Sequence, residues 1–206
     1  MKTLLYLLRL VFVVVAAPLF AGCLFKSSTV PVRDFILAPV STNEAPAATD
    51  RLSVGIASVK MPSYLLRNSL AVRNGANEIE YLEGMQWGER LDQCFQRTMA
   101  ANLSRLLASE NVYSTDWARS QAALTVSINV QQYDVDTRGH ATLIAHWRIS
   151  APEKETPLKN GTARLERTGA SPHGNPGAIA VTLSELAADF SRDLAQSIRE
   201  ASGEKK

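Results

Sequence analysis

Cysteine and histidine are scarce in this chain, and neither sign of charge dominates. Two cysteines stand in 206 residues, too few for a disulfide framework. One is Cys23, at the end of an apolar leader. The other, Cys94, lies inside an apolar helical pattern, where a small buried hydrophobe is a commoner role than a nucleophile. The three histidines, His140, His146 and His173, stand apart from cysteines and carboxylates at any metal-ligand spacing. No G-x-S-x-G, P-loop or H-E-x-x-H motif is present. Asp134 and Asp136 flank Val135 near a hairpin end and read as a solvated turn, not a metal site. We therefore expect no catalytic residue, no metal and no cofactor, although a triad assembled from distant residues would leave no such signature. Of 22 basic and 20 acidic residues, Lys2 and Arg9 belong to the leader, which leaves 20 of each sign. A formally neutral domain argues against nucleic acid as a partner.

The leader is the first informative stretch. Lys2 and Arg9 precede an apolar run from Leu10 to Phe20, and Ala21-Gly22 supply small residues before Cys23. The run is shorter than the ~18–20 residues a membrane-spanning helix needs, and Pro18 interrupts it. We read residues 1–22 as a signal peptide cleaved between Gly22 and Cys23. The junction resembles a bacterial lipobox, although Phe20 stands where Leu is usual. The resemblance implies that Cys23 becomes the lipidated N-terminus, carrying acyl chains such as palmitate. Several acyl chains, each buried CH₂ worth ~0.8 kcal/mol, hold a protein firmly on a membrane. Leu24 follows where Asp would retain the chain on the inner membrane, so by resemblance to enterobacterial sorting the destination is the periplasmic face of the outer membrane.

Residues 23–32 read as a tether and residues 33–202 as one domain; the 184 residues left after removing 22 suit a single core. Arg33-Asp34-Phe35-Ile36-Leu37 and Leu52 to Ala57 read as strands, joined by a Pro- and Ala-rich connection from Ala38 to Asp50. Pro62 ends the second strand or lies at an edge. Asn74-Gly75 between Ser69–Arg73 and Glu78–Leu82 predicts a hairpin, because Gly takes positive φ without a steric cost. Leu91, Phe95, Met99, Leu103 and Leu106 recur at helical spacing. Leu124, Val126, Ile128 and Val130 alternate with polar residues, as do Leu143, Ala145, Trp147 and Ile149, around a turn at Asp136–Gly139. Gly161 to Thr168 gives another strand. A last helix from about Ala178 to Ala201 carries the stripe Ile179, Leu183, Leu186, Phe190, Leu194 and Ile198. Strands, helix, strands, helix predicts an α+β fold, a mainly antiparallel sheet with two long amphipathic helices on one face.

Three short elements carry a resemblance. They are Met61-Pro62-Ser63-Tyr64-Leu65, Glu78-Ile79-Glu80-Tyr81, and Trp87-Gly88-Glu89-Arg90-Leu91 leading into the first long helix. In this order, after a lipobox and an early Asp34-Phe35-Ile36-Leu37 strand, they resemble the ABC-type transport auxiliary lipoprotein family (PqiC-like or YmbA-like, paraquat-inducible lipoproteins). Gly88 and Arg90 depart from the family's usual Trp-Ala-Glu-Pro-Leu. The resemblance implies an outer-membrane-anchored periplasmic subunit that docks with an MCE-domain protein of a Pqi-type, ABC-linked system moving phospholipids across the envelope. A homo-oligomeric ring is a further implication. Pro62, Tyr64, Leu65 and Trp87 are the candidate partner contacts, since they lie at element ends and include two aromatic anchors. The alternative for Tyr64 and Trp87 is a structural plug at the end of the core. An assembly or pilot lipoprotein for another outer-membrane complex is the competing function.

Overall fold

The computed structural model describes residues 30–39, 52–57, 59–114, 122–152 and 154–203. The leader, Gly22, Cys23 and the tether as far as residue 29 lie outside them, as does most of the Ala38–Asp50 connection. Among the described residues the elements run β1 (Arg33–Phe35), β2 (Val54–Ile56), a 3₁₀ turn (Ser63–Leu66), β3 (Ser69–Asn74), β4 (Glu78–Trp87), α1 (Leu91–Leu107), β5 (Val112–Tyr113), β6 (Leu124–Asp136), β7 (His140–Ser150), β8 (Lys159–Thr168) and α2 (Gly177–Ser202).

All eight strands join one sheet, centred on β6. One edge of β6 carries β2 along Leu124–Val126 and then β3 along Val135–Asp136, while β7 and then β8 extend the other edge. The fold is α+β as expected, but the sheet is mixed, not mainly antiparallel. The ladders β3–β4, β6–β7 and β7–β8 are antiparallel; β1–β4, β2–β5, β2–β6 and β3–β6 are parallel. The cause is chain connection. Hairpins force antiparallel neighbours, whereas β1 and β2 reach theirs through long intervening stretches that permit either direction. Alternation of apolar residues reports which face is buried and carries no record of strand direction.

Local chemistry explains the elements. The β3–β4 hairpin turns at Gly75, whose φ of +71° is open to a residue without Cβ. Helix α1 ends where Ala108 adopts φ 51° and its N–H returns to the Arg105 and Ser104 carbonyls. Strand β6 begins with even-numbered residues inward: Leu124, Val126, Ile128 and Val130 are buried. A bulge between Val130 and Gln132 then shifts the phase by one. Tyr133 and Val135 thereby point into the core, and Gln132, Asp134 and Asp136 share the opposite side.

Both helices cover the inward face. Phe95 of α1 meets Tyr133 edge-on at 5.0 Å between ring centroids and stacks with Phe190 of α2 at 6.5 Å. The Tyr133 hydroxyl donates to the Leu183 carbonyl at 2.6 Å, satisfying a polar atom deep in the core. Between the helices Asn102 donates to Ser191 Oγ at 3.0 Å. The predicted α2 stripe is buried along its whole length, from Ile179 to Ile198. The stretch after β1 crosses both helices: Leu37 is buried, its N–H meets Cys94 Sγ at 3.2 Å, and the Ala38 N–H reaches Ser184 Oγ at 3.0 Å. Cys94 is thus a buried packing residue, and burial pushes its thiol pKa up, away from nucleophilic character. The opposite face of β6, β7 and β8 has no helix over it among the described residues.

Candidate functional site

The residues picked out from sequence gather where the chain leaves β6 and returns to it. Strand β2 runs parallel to β6, and Lys60 adds a parallel bridge to Asn129. The chain then swings out through Met61-Pro62 and the 3₁₀ turn before rejoining β6 as β3. Pro62 stands at the head of that turn; its φ of −56° suits the ring, and its carbonyl accepts from the Leu65 N–H at 3.0 Å. Leu65 is only 3% exposed and packs in the core. Trp87, the last residue of β4, is 5% exposed and pairs in register with Phe35 of β1. Pro62 and Tyr64 are part-exposed. The structure therefore brings Pro62, Tyr64 and Leu65 into one corner and leaves Trp87 inside the core at the end of β4, its N–H bonded to the Asn68 carbonyl at 2.6 Å.

Tyr64 is the hinge of a buried polar cluster that sequence reading missed. Its hydroxyl donates to Asp134 Oδ2 at 2.7 Å. Arg73, from β3, grips the same carboxylate in a fork, Nε to Oδ1 at 3.1 Å and Nη2 to Oδ2 at 2.6 Å. Gln132 Nε2 donates to Oδ1 at 2.9 Å. Tyr81 closes the outer side, donating to the Tyr64 carbonyl at 3.1 Å, with Arg67 stacked 4.6 Å over its ring. Asp134 is 2% exposed, not the solvated turn residue its neighbours in sequence imply. Desolvation first, and then the bond to Asp134, pushes the Tyr64 phenol well above the ordinary tyrosine range; the same carboxylate raises Arg73. Chemically the Asp134 carboxylate is fully engaged: Tyr64, Arg73 and Gln132 all donate to it. It fixes the corner's shape and offers no free base or nucleophile.

A second surface feature is apolar. Ile36 and Val181 are 57% and 59% exposed and line a groove of about 490 Å³ on the outer side of α2, with Ala38, Pro39, Ala180 and Ala188. Its charges compensate one another: Arg167 bonds Asp189 at 2.9 Å and Glu185 at 3.2 Å, and Arg192 also pairs with Asp189. Among the described residues no group of three or more His, Cys, Asp or Glu could hold a metal. No helix among them is long and apolar enough to cross a membrane.

Comparison with known proteins decides the family. The family model for the ABC-type transport auxiliary lipoprotein component matches residues 35–195. The chain belongs to this family. Its members are transport auxiliary lipoproteins, a description that places them with an ABC-type transporter and not among enzymes. Among solved structures, protein XCC0632 from Xanthomonas campestris, of family DUF330, is 11% identical. That match has a TM-score of 0.65 and covers 84% of this chain and 97% of that one. A second, described as an uncharacterized protein, is 21% identical with a TM-score of 0.61, covering 78% and 99%. PelC of Paraburkholderia phytofirmans, solved as a dodecamer, is 16% identical with a TM-score of 0.40, covering 72% and 92%. At these identities the first two likenesses are of fold, and the third carries no weight here. No curated protein matches the chain.

Proposed function

We propose that this auxiliary lipoprotein is a docking subunit of an MCE-protein, ABC-linked system that moves phospholipids across the envelope. In this reading it hangs from the periplasmic face of the outer membrane by acyl chains on Cys23. The match of the family model over residues 35–195 carries the proposal. The lipobox at Leu19–Cys23 supports the anchor, and Leu24 supports outer-membrane sorting. The role is recognition without turnover, which agrees with a candidate corner whose one buried carboxylate is taken up by Tyr64, Arg73 and Gln132. Its ligand is the periplasmic part of an MCE-domain protein, and a ring of several copies would present one corner per copy.

Contact falls first on Pro62 and Tyr64, the part-exposed members of the corner. Leu65 and Trp87 act from behind, holding the turn and the end of β4 in place. Pull-down from detergent-solubilised envelopes, using the tagged full chain and a Cys23→Ala control, tests the proposal. Recovery of an MCE-domain protein with the intact chain is the expected result. Recovery of a secretin or other assembly in its place would overturn it and favour the pilot-lipoprotein reading. Pro62→Ala is expected to reduce MCE recovery while leaving the unfolding midpoint nearly unchanged. Trp87→Ala is expected to lower stability by about 3–5 kcal/mol, as removal of a buried indole does, before any effect on partner recovery.

A further inference from the structure

The bare face of the sheet is electrically divided. At its β3 end lie the carboxylates, Asp134 held by Arg73, Asp136 at the end of β6 paired with Arg138, and Glu166 opposite Thr142. At the other end the side chains are cationic or neutral donors. The ladders set them in two rows. Lys60, Asn129, His146 and Thr162 lie across four neighbouring strand positions, and Arg148 and Asn160 stand side by side in the next row. All six line one concavity of about 660 Å³, whose described lining contains no carboxylate. In a chain with equal numbers of acidic and basic residues after the leader, that local excess is set by the fold.

The donors are also unspent. Among the described residues neither the Lys60 ammonium nor the Arg148 guanidinium has an ion pair or hydrogen bond. His146 Nδ1 meets Thr162 Oγ1 at 2.9 Å. When the threonine hydroxyl donates to Nδ1, Nε2 carries the ring hydrogen and directs it outward. Adjacent strands are ~4.8 Å apart, so the row from Lys60 to His146 spans about 10 Å, within reach of long side chains folding onto one small anion. A peptide carboxylate has two oxygens and is satisfied by one guanidinium fork. A phospholipid's phosphodiester also has two anionic oxygens, but they project from a tetrahedral phosphorus with two ester oxygens beside them, which suits cations and amides arriving from several strands out of one plane. The volume is that of a site for a small ligand.

We propose that this uncovered end of the sheet, around Lys60, His146 and Arg148, binds the phosphate of a phospholipid headgroup. The phosphate chemistry stands on the donor set; choosing a lipid as its source rests on the transport reading above.

The test uses the full-chain lipoprotein in non-ionic detergent. It is titrated with dihexanoyl-phosphatidylglycerol, with inorganic phosphate, with a polyglutamate peptide, and with phosphate-free dihexanoylglycerol. The short-chain phospholipid is expected to bind, the diacylglycerol not. Arg148→Gln and Lys60→Gln should each weaken binding about tenfold, with unfolding midpoints unchanged because both residues are exposed. Arg164→Gln, on the same face but outside the concavity, should bind as the parent does. Equal loss in Arg164→Gln, unchanged affinity in Arg148→Gln, or inorganic phosphate binding as tightly as the lipid would each overturn the proposal. Tighter binding of polyglutamate would reassign the face to an acidic protein segment. The two readings fail separately. Lipid binding through Arg148 with no MCE protein in the pull-down removes the docking partner and leaves the site. MCE recovery with lipid binding indifferent to Arg148→Gln removes the site and leaves the partner.

Discussion

The two faces of this sheet are built from the same three strands and do opposite work. On the helix side β6, β7 and β8 present Tyr133, Leu143, Ile149 and Ala163 to the core that Phe95 and Phe190 share. On the other side the same strands present Asn129, His146, Arg148 and Thr162 to solvent. Apolar burial scales with area and carries most of the folding free energy, so the covered face decides whether the domain exists. The bare face is free of that demand and can hold charges for recognition. Asp134 is the exception, a carboxylate on the bare side that is buried all the same.

The largest expected break in the comparison is Phe190→Ala. Removing a ring that stacks on Phe95 should cost about 3–5 kcal/mol in urea unfolding, against no more than about 0.5 kcal/mol for Thr162→Ala on the bare face. If the two costs were alike, the covered face would not be the source of stability. Arg73→Ala comes next. It leaves the Asp134 carboxylate buried without its cation and should cost about 3 kcal/mol. The paired change Arg73→Leu with Asp134→Leu should restore much of that loss, since a buried ion pair is worth little more than apolar packing of like volume. Failure of the double change to recover would mean the pair holds the corner by geometry that leucines cannot supply.

Tyr64→Phe should cost about 1–2 kcal/mol by removing the bond to Asp134. The sign of its pH dependence follows from the raised phenol. Stability from a proton held more tightly when folded is fully present below the unfolded tyrosine pKa, about 10, and declines as pH rises through the folded value. Alkaline unfolding curves should therefore lose part of their steepness above pH 10 in the Phe variant, while Tyr133, likewise pushed up by burial, keeps the rest. A smaller gain is expected from Thr98→Val. Thr98 Oγ1 is buried without a partner among the described residues, and removing it should stabilise the covered face by about 1 kcal/mol. A loss instead would reveal a bond the hydroxyl makes.

Much of the covered face was readable in one dimension. The α2 stripe from Ile179 to Ile198 and the β3–β4 turn at Gly75 fall where spacing and turn chemistry put them. Helix α1 ends at Leu107, one residue beyond the last apolar position of its pattern. The candidate corner was readable only in part. Tyr64 and Trp87 stood out as aromatics at element ends, but spacing could not say that Trp87 faces inward beside Phe35. Gln132 and Asp134 sit in a polar stretch that looks like the approach to a turn. Their phase relative to Val130 is set by a bulge, and the partner that buries Asp134 comes from 61 residues away.

Local sequence was enough for the two amphipathic helices, the alternating strands and the order in which they come. Those follow from local periodicity and from residues whose backbone is restrictive, such as Gly75 and Pro62. Tertiary structure alone decided strand direction, the Tyr64–Arg73–Asp134 cluster and the meeting of Lys60 with His146 and Arg148. Each of those depends on which distant stretches become neighbours. Neighbourhood is fixed by the collective burial of the core, and no single segment encodes it.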